Sequence, residues 1–248
     1  MKASSILLVG ATSAIAQAIA RSYAEQGAAL FLVGRDAARL QELAADLRAR
    51  GAAEAHSYPL DLDNPEQHAA MLDQCWTTLG RVDIALVCHG TLPDQRACED
   101  HPPEAIRALQ TNGVHVIALL LEMAKRFEQQ GSGTIAAFGS VAGDRGRPSN
   151  AIYGAAKGSL AIFLSGLRAR MHKCGVHVLT IKPGFVDTPM TEGLELPRML
   201  LTTPERVAAD VRRAVRRRQS TLYTPWFWWW ILLIIRTIPE PLFKRSSL

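Results

Sequence analysis

Ser140, Tyr153 and Lys157 have the side-chain types and spacing needed to pass a proton to or from a carbonyl oxygen. Tyr153 and Lys157 are four residues apart, so a helix carries them on one face. An unperturbed tyrosine ionises near pH 10, about three units too high for an efficient base at neutral pH. A neighbouring ammonium favours the phenolate and lowers that value. Ser140 follows the apolar run Thr134–Phe138. That places its hydroxyl at the C-terminal end of a predicted strand, where open α/β sheets bind ligands. From there it can hydrogen-bond a substrate oxygen and hold it against Tyr153. Asn112, within a long helical pattern, can link Lys157 to water as a proton relay.

A second chemical signal opens the chain. After the run Ile6–Val9 comes Gly10-Ala11-Thr12-Ser13-Ala14-Ile15-Ala16, leading into a helical pattern. A strand, a tight turn and a helix start present backbone N–H groups and a positive dipole end to a pyrophosphate. Gly10 permits the turn. Ala14 and Ala16 stand where two further glycines usually allow close approach of phosphate and close packing of helix on strand. The next run ends Val33-Gly34-Arg35-Asp36. An arginine at that point holds a 2′-phosphate, so Arg35 favours NADP(H), with NAD(H) as the alternative. Asp36 reads as the N-cap of the following helix. Asp61 reads in two ways, as an acceptor for the adenine amino group or as a turn residue before Pro65.

The elements that must position these groups alternate. Strands are expected at Ile6–Val9, Ala29–Val33, His56–Leu60, Asp83–Cys88, Thr134–Phe138 and Val176–Ile181. Helices are expected at Ser13–Gln26, Asp36–Arg50, Pro65–Leu79, Pro103–Gln130, Ala151–Lys173 and Pro204–Arg217. The strands are continuous Val/Ile/Leu/Ala runs, as in parallel strands buried on both faces. The expected fold is α/β, a doubly wound parallel sheet of the Rossmann type in three layers, α/β/α. One domain over residues 1–225 and a short apolar helical tail over 226–248 account for the whole chain.

In this arrangement the chain closely resembles the short-chain dehydrogenase/reductase family, in register over roughly residues 4–225. The resemblance rests on the Gly10 turn, Asp61, Asn112, Ser140, Tyr153-Gly-Ala-Ala-Lys157 and Lys182-Pro183-Gly184-Phe185-Val186-Asp187-Thr188-Pro189-Met190. It implies a ketone–alcohol oxidoreductase with Asn112, Ser140, Tyr153 and Lys157 as the catalytic tetrad. It further implies a nicotinamide dinucleotide held by Gly10, Thr12, Ser13, Ala14, Ile15, Arg35, Asp61, Leu62 and Gly90. Tyr153 and Lys157 contribute to that cradle, as do Pro183, Gly184, Val186 and Thr188. In the family the Pro183-Gly184 segment covers the nicotinamide, the Val186 backbone meets its carboxamide, and Thr188 contacts carboxamide or phosphate. Where the family has Asn-Ala-Gly after the fourth strand, this chain has Cys88-His89-Gly90. Gly90 keeps the turn; the asparagine that ties the central sheet is gone.

Composition bounds the partners. The four cysteines are scattered, which argues against a zinc site or a disulfide framework and fits a reducing compartment. The short Ile6–Val9 run does not resemble a signal-peptide core, so a cytoplasmic location is expected. Five arginines between 212 and 218 account for the +5 net charge locally, and no basic motif suggests nucleic acid. Trp226–Ile235 is ten apolar residues with four of the five tryptophans. At about 15 Å it is too short to cross a bilayer of about 30 Å. Tryptophans beside Arg236, Lys244 and Arg245 point to peripheral contact with the cytoplasmic membrane face, aided by the arginine cluster. The alternatives are a subunit contact in a homo-oligomer, dimer or tetramer, and a cap over the substrate cleft. The tail, with Arg236-Thr237-Ile238-Pro239, also resembles membrane-associated reductases of polyprenyl-phosphoryl keto-pentoses, which implies a lipophilic or lipid-linked substrate. Substrate residues are expected in the loops Leu92–His101 and Thr191–Leu201. A contrasting expectation is a catalytically idle, cofactor-sensing scaffold at the membrane surface.

Overall fold

The computed structural model describes residues 4–193 and 197–245. The chain runs β1 (Ser5–Val9), α1 (Ala14–Ala24), β2 (Ala29–Gly34), α2 (Ala37–Ala49), β3 (Glu54–Pro59), α3 (His68–Leu79) and β4 (Ile84–Val87). It continues through α4 (Gln95–Asp100), α5 (Pro102–Leu109), α6 (His115–Gln130), β5 (Thr134–Phe138), α7 (Ala151–His172) and β6 (His177–Pro183). The last elements are β7 (Phe185–Val186), β8 (Leu201–Thr202), α8 (Pro204–Arg216), β9 (Thr221–Thr224), α9 (Trp228–Thr237) and α10 (Glu240–Phe243). Among the described residues, one parallel sheet of seven strands has the order β3-β2-β1-β4-β5-β6-β9. The expected doubly wound sheet is therefore present, and β7 and β8 form a small parallel pair outside it.

Both faces of the sheet are covered, and side-chain alternation decides which residue faces which layer. Along β1, Ile6 and Leu8 pack with α1, α2 and α8, whereas Leu7 and Val9 pack with α3, α6 and α7. The order reverses between β1 and β4, which opens a crevice at the strands' C-terminal ends. Local signals start the helices that border it. Ser13 caps α1 by accepting from the Ala16 N–H at 3.3 Å, and Asp36 caps α2 by accepting from Arg39 N–H at 3.1 Å.

Three elements differ from expectation. The long helix Pro103–Gln130 is α5 and α6 joined by a π-helical turn at Gln110–Val114. The short helix α4 precedes it and was not anticipated. The edge strand β9 was also missed: four residues of mixed polarity carry no run of apolar residues, and pairing with β6 makes them a strand.

The C-terminal segment lies against the domain. Trp228, Leu232 and Ile235 are buried, and the first two pack with Val141, Phe185 and Tyr223. Arg145 clamps the end of α9: its Nη1 donates to the carbonyls of Ile235 at 2.6 Å and Ile238 at 2.7 Å, and its guanidinium lies 3.7 Å over the Phe243 ring. No described helix is long and apolar enough to cross a membrane. Of the arginine cluster, Arg212 bonds the Ser22 carbonyl, Arg213 bonds Asp210 and Arg218 bonds the Gly175 carbonyl. Of these three, Arg213 alone meets a carboxylate among the described residues.

Arg145→Ala leaves two helix-end carbonyls without their charged donor. It is expected to lower unfolding stability by about 2–3 kcal/mol and to speed proteolysis within 226–245. An unchanged denaturation midpoint and cleavage rate would remove the clamp from the account.

Candidate active site

The crevice is a cleft of about 1030 Å³. One end is formed by the α1 turn, through Thr12, Ser13, Ala14 and Ile15. The turn works because Gly10 adopts φ +75°, and a Cβ there would lie 2.9 Å from the His89 nitrogen. Gly10 and Ala11 both donate to the Val33 carbonyl at 2.9 Å, which locks the turn to β2. The middle is lined by Gly90, Ser140, Tyr153 and Lys157, and the far wall by Pro183, Gly184, Val186 and Thr188.

Lys157 is the centre of this geometry. It is 3% exposed, and its Nζ donates to the Phe138 carbonyl at 3.0 Å and sits 5.7 Å from the Tyr153 ring centroid. A Cβ on Gly90 would stand 3.2 Å from that Nζ and 2.8 Å from Asn112 Oδ1, so only glycine leaves room for both groups. Asn112 is fully buried. It lies in the π-helical turn, accepting from the Thr91 N–H at 2.9 Å and donating to the Ala108 carbonyl at 3.0 Å. Its direct partners are therefore Thr91 and Ala108, and it flanks Lys157 across Gly90. Single π turns recur at functional sites.

Burial sets the protonation states. It pushes the Tyr153 phenol up to about 12, with Ser140 acting in the opposite sense, and pushes the Lys157 ammonium down to about 8. Desolvation dominates at Tyr153, so its pKa is raised where a net lowering by the ammonium was expected. The phenol is desolvated, and the ammonium is tied to Phe138 beneath the ring. Tyr153 is held protonated at neutral pH, as a proton donor must be.

Other expected positions fall differently. Arg35 is exposed and does not line the cleft; Arg39, one helical turn on, does. Asp61 is exposed and accepts from the Asp63 N–H at 3.1 Å, which is the turn role. The Leu62 side chain is in the core, and its carbonyl meets His68 Nε2 at 3.0 Å. His89 lines the cleft, and burial pushes its pKa down to about 4. Its Nε2 is buried without a hydrogen-bond partner and lies 3.7 Å from Asp63 Oδ1. The Cys88 N–H donates to the Val9 carbonyl at 2.8 Å, so the backbone ties the sheet where the family's asparagine is absent. Of the two loops expected to carry substrate residues, Leu92–Arg96 and Thr191 line the cleft; residues 194–196 lie outside the described residues.

Sequence reasoning missed the braces around the site. Asp144, just beyond Ser140, pairs with Lys182, and Tyr223 donates to it at 2.7 Å. Trp228 lies on Gly184 so closely that a Cβ there would fall 1.8 Å from Nε1. The tail thus touches the Pro183-Gly184 wall directly. No local pattern in the sequence announces a contact between residues so far apart.

These residues fit a dinucleotide: a capped helix start with its free N–H groups at one end of the cleft, and the Lys157 ammonium and the Pro183–Thr188 wall along it. Comparison with known proteins agrees. The short chain dehydrogenase family model matches residues 4–198. An uncharacterized oxidoreductase of Mycobacterium tuberculosis is 35% identical over 243 residues, covering 98% of this chain and 97% of its own. One from Streptomyces coelicolor is 36% identical over 245 residues, covering 97% and 95%. A solved short chain dehydrogenase/reductase family protein superposes with a TM-score of 0.78 at 28% identity, over 90% of this chain and 97% of its own. The chain belongs to the short-chain dehydrogenase/reductase family and is an oxidoreductase. The cofactor class of that family is NAD(P)(H).

The lowered Lys157 pKa has a measurable sign. Between about pH 8 and pH 10 the unfolded chain, whose lysines ionise near 10.4, binds more protons than the folded one. This residue therefore adds stability as pH rises through that window. Relative to Lys157→Met, the wild type should gain about 2 kcal/mol between pH 8 and pH 10 in urea unfolding. Parallel pH profiles would contradict the burial of this charge.

Proposed function

We propose that the protein is an NADP(H)-dependent reductase that converts a lipophilic or lipid-linked ketone, such as a keto-sugar on a lipid carrier, to a secondary alcohol. The convergence of Ser140, Tyr153 and Lys157 beside the α1 turn carries this reading. A bound reduced nicotinamide would supply the hydride. The Ser140 hydroxyl hydrogen-bonds the substrate oxygen and orients it. Tyr153, kept protonated by burial, donates its proton to that oxygen as charge develops there. The Lys157 ammonium stabilises the phenolate left behind, and Asn112 across Gly90 supports the relay that returns a proton. The NADP(H) preference is supported by Arg35 and Arg39 at the α2 start, two guanidiniums suited to a 2′-phosphate. Val186 and Thr188 face the cleft where a carboxamide would lie.

The test is NADPH oxidation across a ketone panel. Tyr153→Phe should cut turnover by about 10²-fold or more while leaving NADPH binding intact. Arg39→Ala should weaken NADPH about tenfold and leave NADH unchanged. Full turnover in the phenylalanine variant would sink the mechanism. Cofactor binding without turnover of any ketone would favour a cofactor-sensing scaffold.

The substrate's lipophilic character follows from a proposed contact with an anionic membrane surface. The outer side of the tail exposes Trp226 (66%), Trp230 (55%), Ile234 (63%) and Leu242 (61%) beside the exposed cations Arg236, Lys244 and Arg245. Apolar and aromatic side chains flanked by cations suit the interface of anionic lipids. Sedimentation with phosphatidylglycerol vesicles should capture the wild type and release Trp226→Ser/Trp230→Ser/Ile234→Ser with its fold intact. Retention of that variant on vesicles would refute the contact; conversion of an oligomer to monomers by it would assign the face to a subunit interface.

A further inference from the structure

The cleft extends past Tyr153 into a region that the proton chemistry above does not use. One wall is the segment from Arg147 to Asn150, between the Ser140 turn and α7. Cations line the cleft at several points, and most are already compensated. Arg39 faces Asp36 at 3.5 Å, Arg96 faces Asp100 at 4.0 Å, and Lys157 bonds the Phe138 carbonyl. Arg147 is different. Among the described residues its guanidinium has neither a hydrogen-bond partner nor an ion pair. It is partly buried, and burial lowers its pKa; no acidic group among the described residues offsets that effect. Three residues on, Asn150 Oδ1 is buried with no hydrogen-bond partner. Leu92, Pro93, Phe185 and Met190 add apolar lining to the same cleft.

A partly desolvated cation without a counter-ion is unfavourable until an anion reaches it. A guanidinium presents a planar fork of donors that matches a carboxylate or phosphate bidentately. The unmet acceptor on Asn150 suits a hydroxyl beside that anion. We infer that Arg147 and Asn150 form a recognition site for an oxyanion, phosphate or carboxylate, carried by the substrate away from its reacting carbonyl. The inference rests on the reductase reading only in treating this region as the substrate half of the cleft. It narrows the substrate to an anionic amphiphile: an apolar portion against Leu92, Phe185 and Met190, and an oxyanion at Arg147.

Equilibrium titration tests the site without needing turnover. Octyl phosphate, octanoate and octanol are titrated into the wild-type protein with and without NADP+. At least one anion should bind about tenfold or more tightly than octanol, and the preferred anion identifies phosphate or carboxylate as the group recognised. Arg147→Ala and the similarly sized Arg147→Gln should bring the anion-to-alcohol affinity ratio to about one, and Arg147→Lys should keep part of it. No anion preference in the wild type, or a preference that survives in a folded Arg147→Gln, would overturn the site. Failure of the reductase reading would appear separately, as absent NADPH oxidation with the anion titration unchanged.

Discussion

A lysine ammonium buried at the C-terminal edge of a parallel sheet is the constraint around which this structure is arranged. Lys157 is 3% exposed, and a charge so placed must be met on every side by polar groups. The Phe138 carbonyl meets it at the end of β5, and Asn112 flanks it from the π-helical turn. Gly90 has no side chain because any Cβ would occupy the space between them. The same burial keeps Tyr153 protonated, so one desolvated pocket sets the ionisation of both partners. Each neighbour comes from a different strand end or crossover, so the sheet must be assembled before the lysine can be buried.

The C-terminal segment belongs to this arrangement. The indole of Trp228 occupies the space over Gly184, and Arg145 leads from the Ser140 turn to the end of α9. Lys182 and Tyr223 converge on Asp144 between them. The helix therefore contacts both the wall beside Gly184 and the turn that carries Ser140. The short helix thus has an apolar outer surface and an inner surface joined to the wall of the cleft.

Much of the site was legible because its chemistry is written in short spacings. Tyr153 and Lys157 share a helix face by count alone, and Ser140 follows an unmistakable apolar strand. The α1 turn was equally readable from Gly10 and the helical pattern that follows it. The Arg35 reading was less complete: the arginine that lines the cleft is Arg39, in the first turn of α2. Asp61 makes the turn bond expected of it, accepting from the Asp63 N–H. The lowered tyrosine pKa expected from a neighbouring lysine did not appear, because desolvation is a property of the assembled pocket.

The sequence by itself determined the alternation of strand and helix, the doubly wound sheet, the Ser140, Tyr153 and Lys157 set and the family to which the chain belongs. These depend on periodicity and on residues close together along the chain. Only the tertiary structure decided the rest. It joined Arg145 to the end of α9, brought Trp228 against Gly184, left Arg147 without a counter-ion among the described residues and gave β9 its place beside β6. Contacts of that kind join distant segments, and their energies depend on what is desolvated together. No local pattern encodes this, and so the reacting groups could be read from the sequence while the surroundings that set their charges could not.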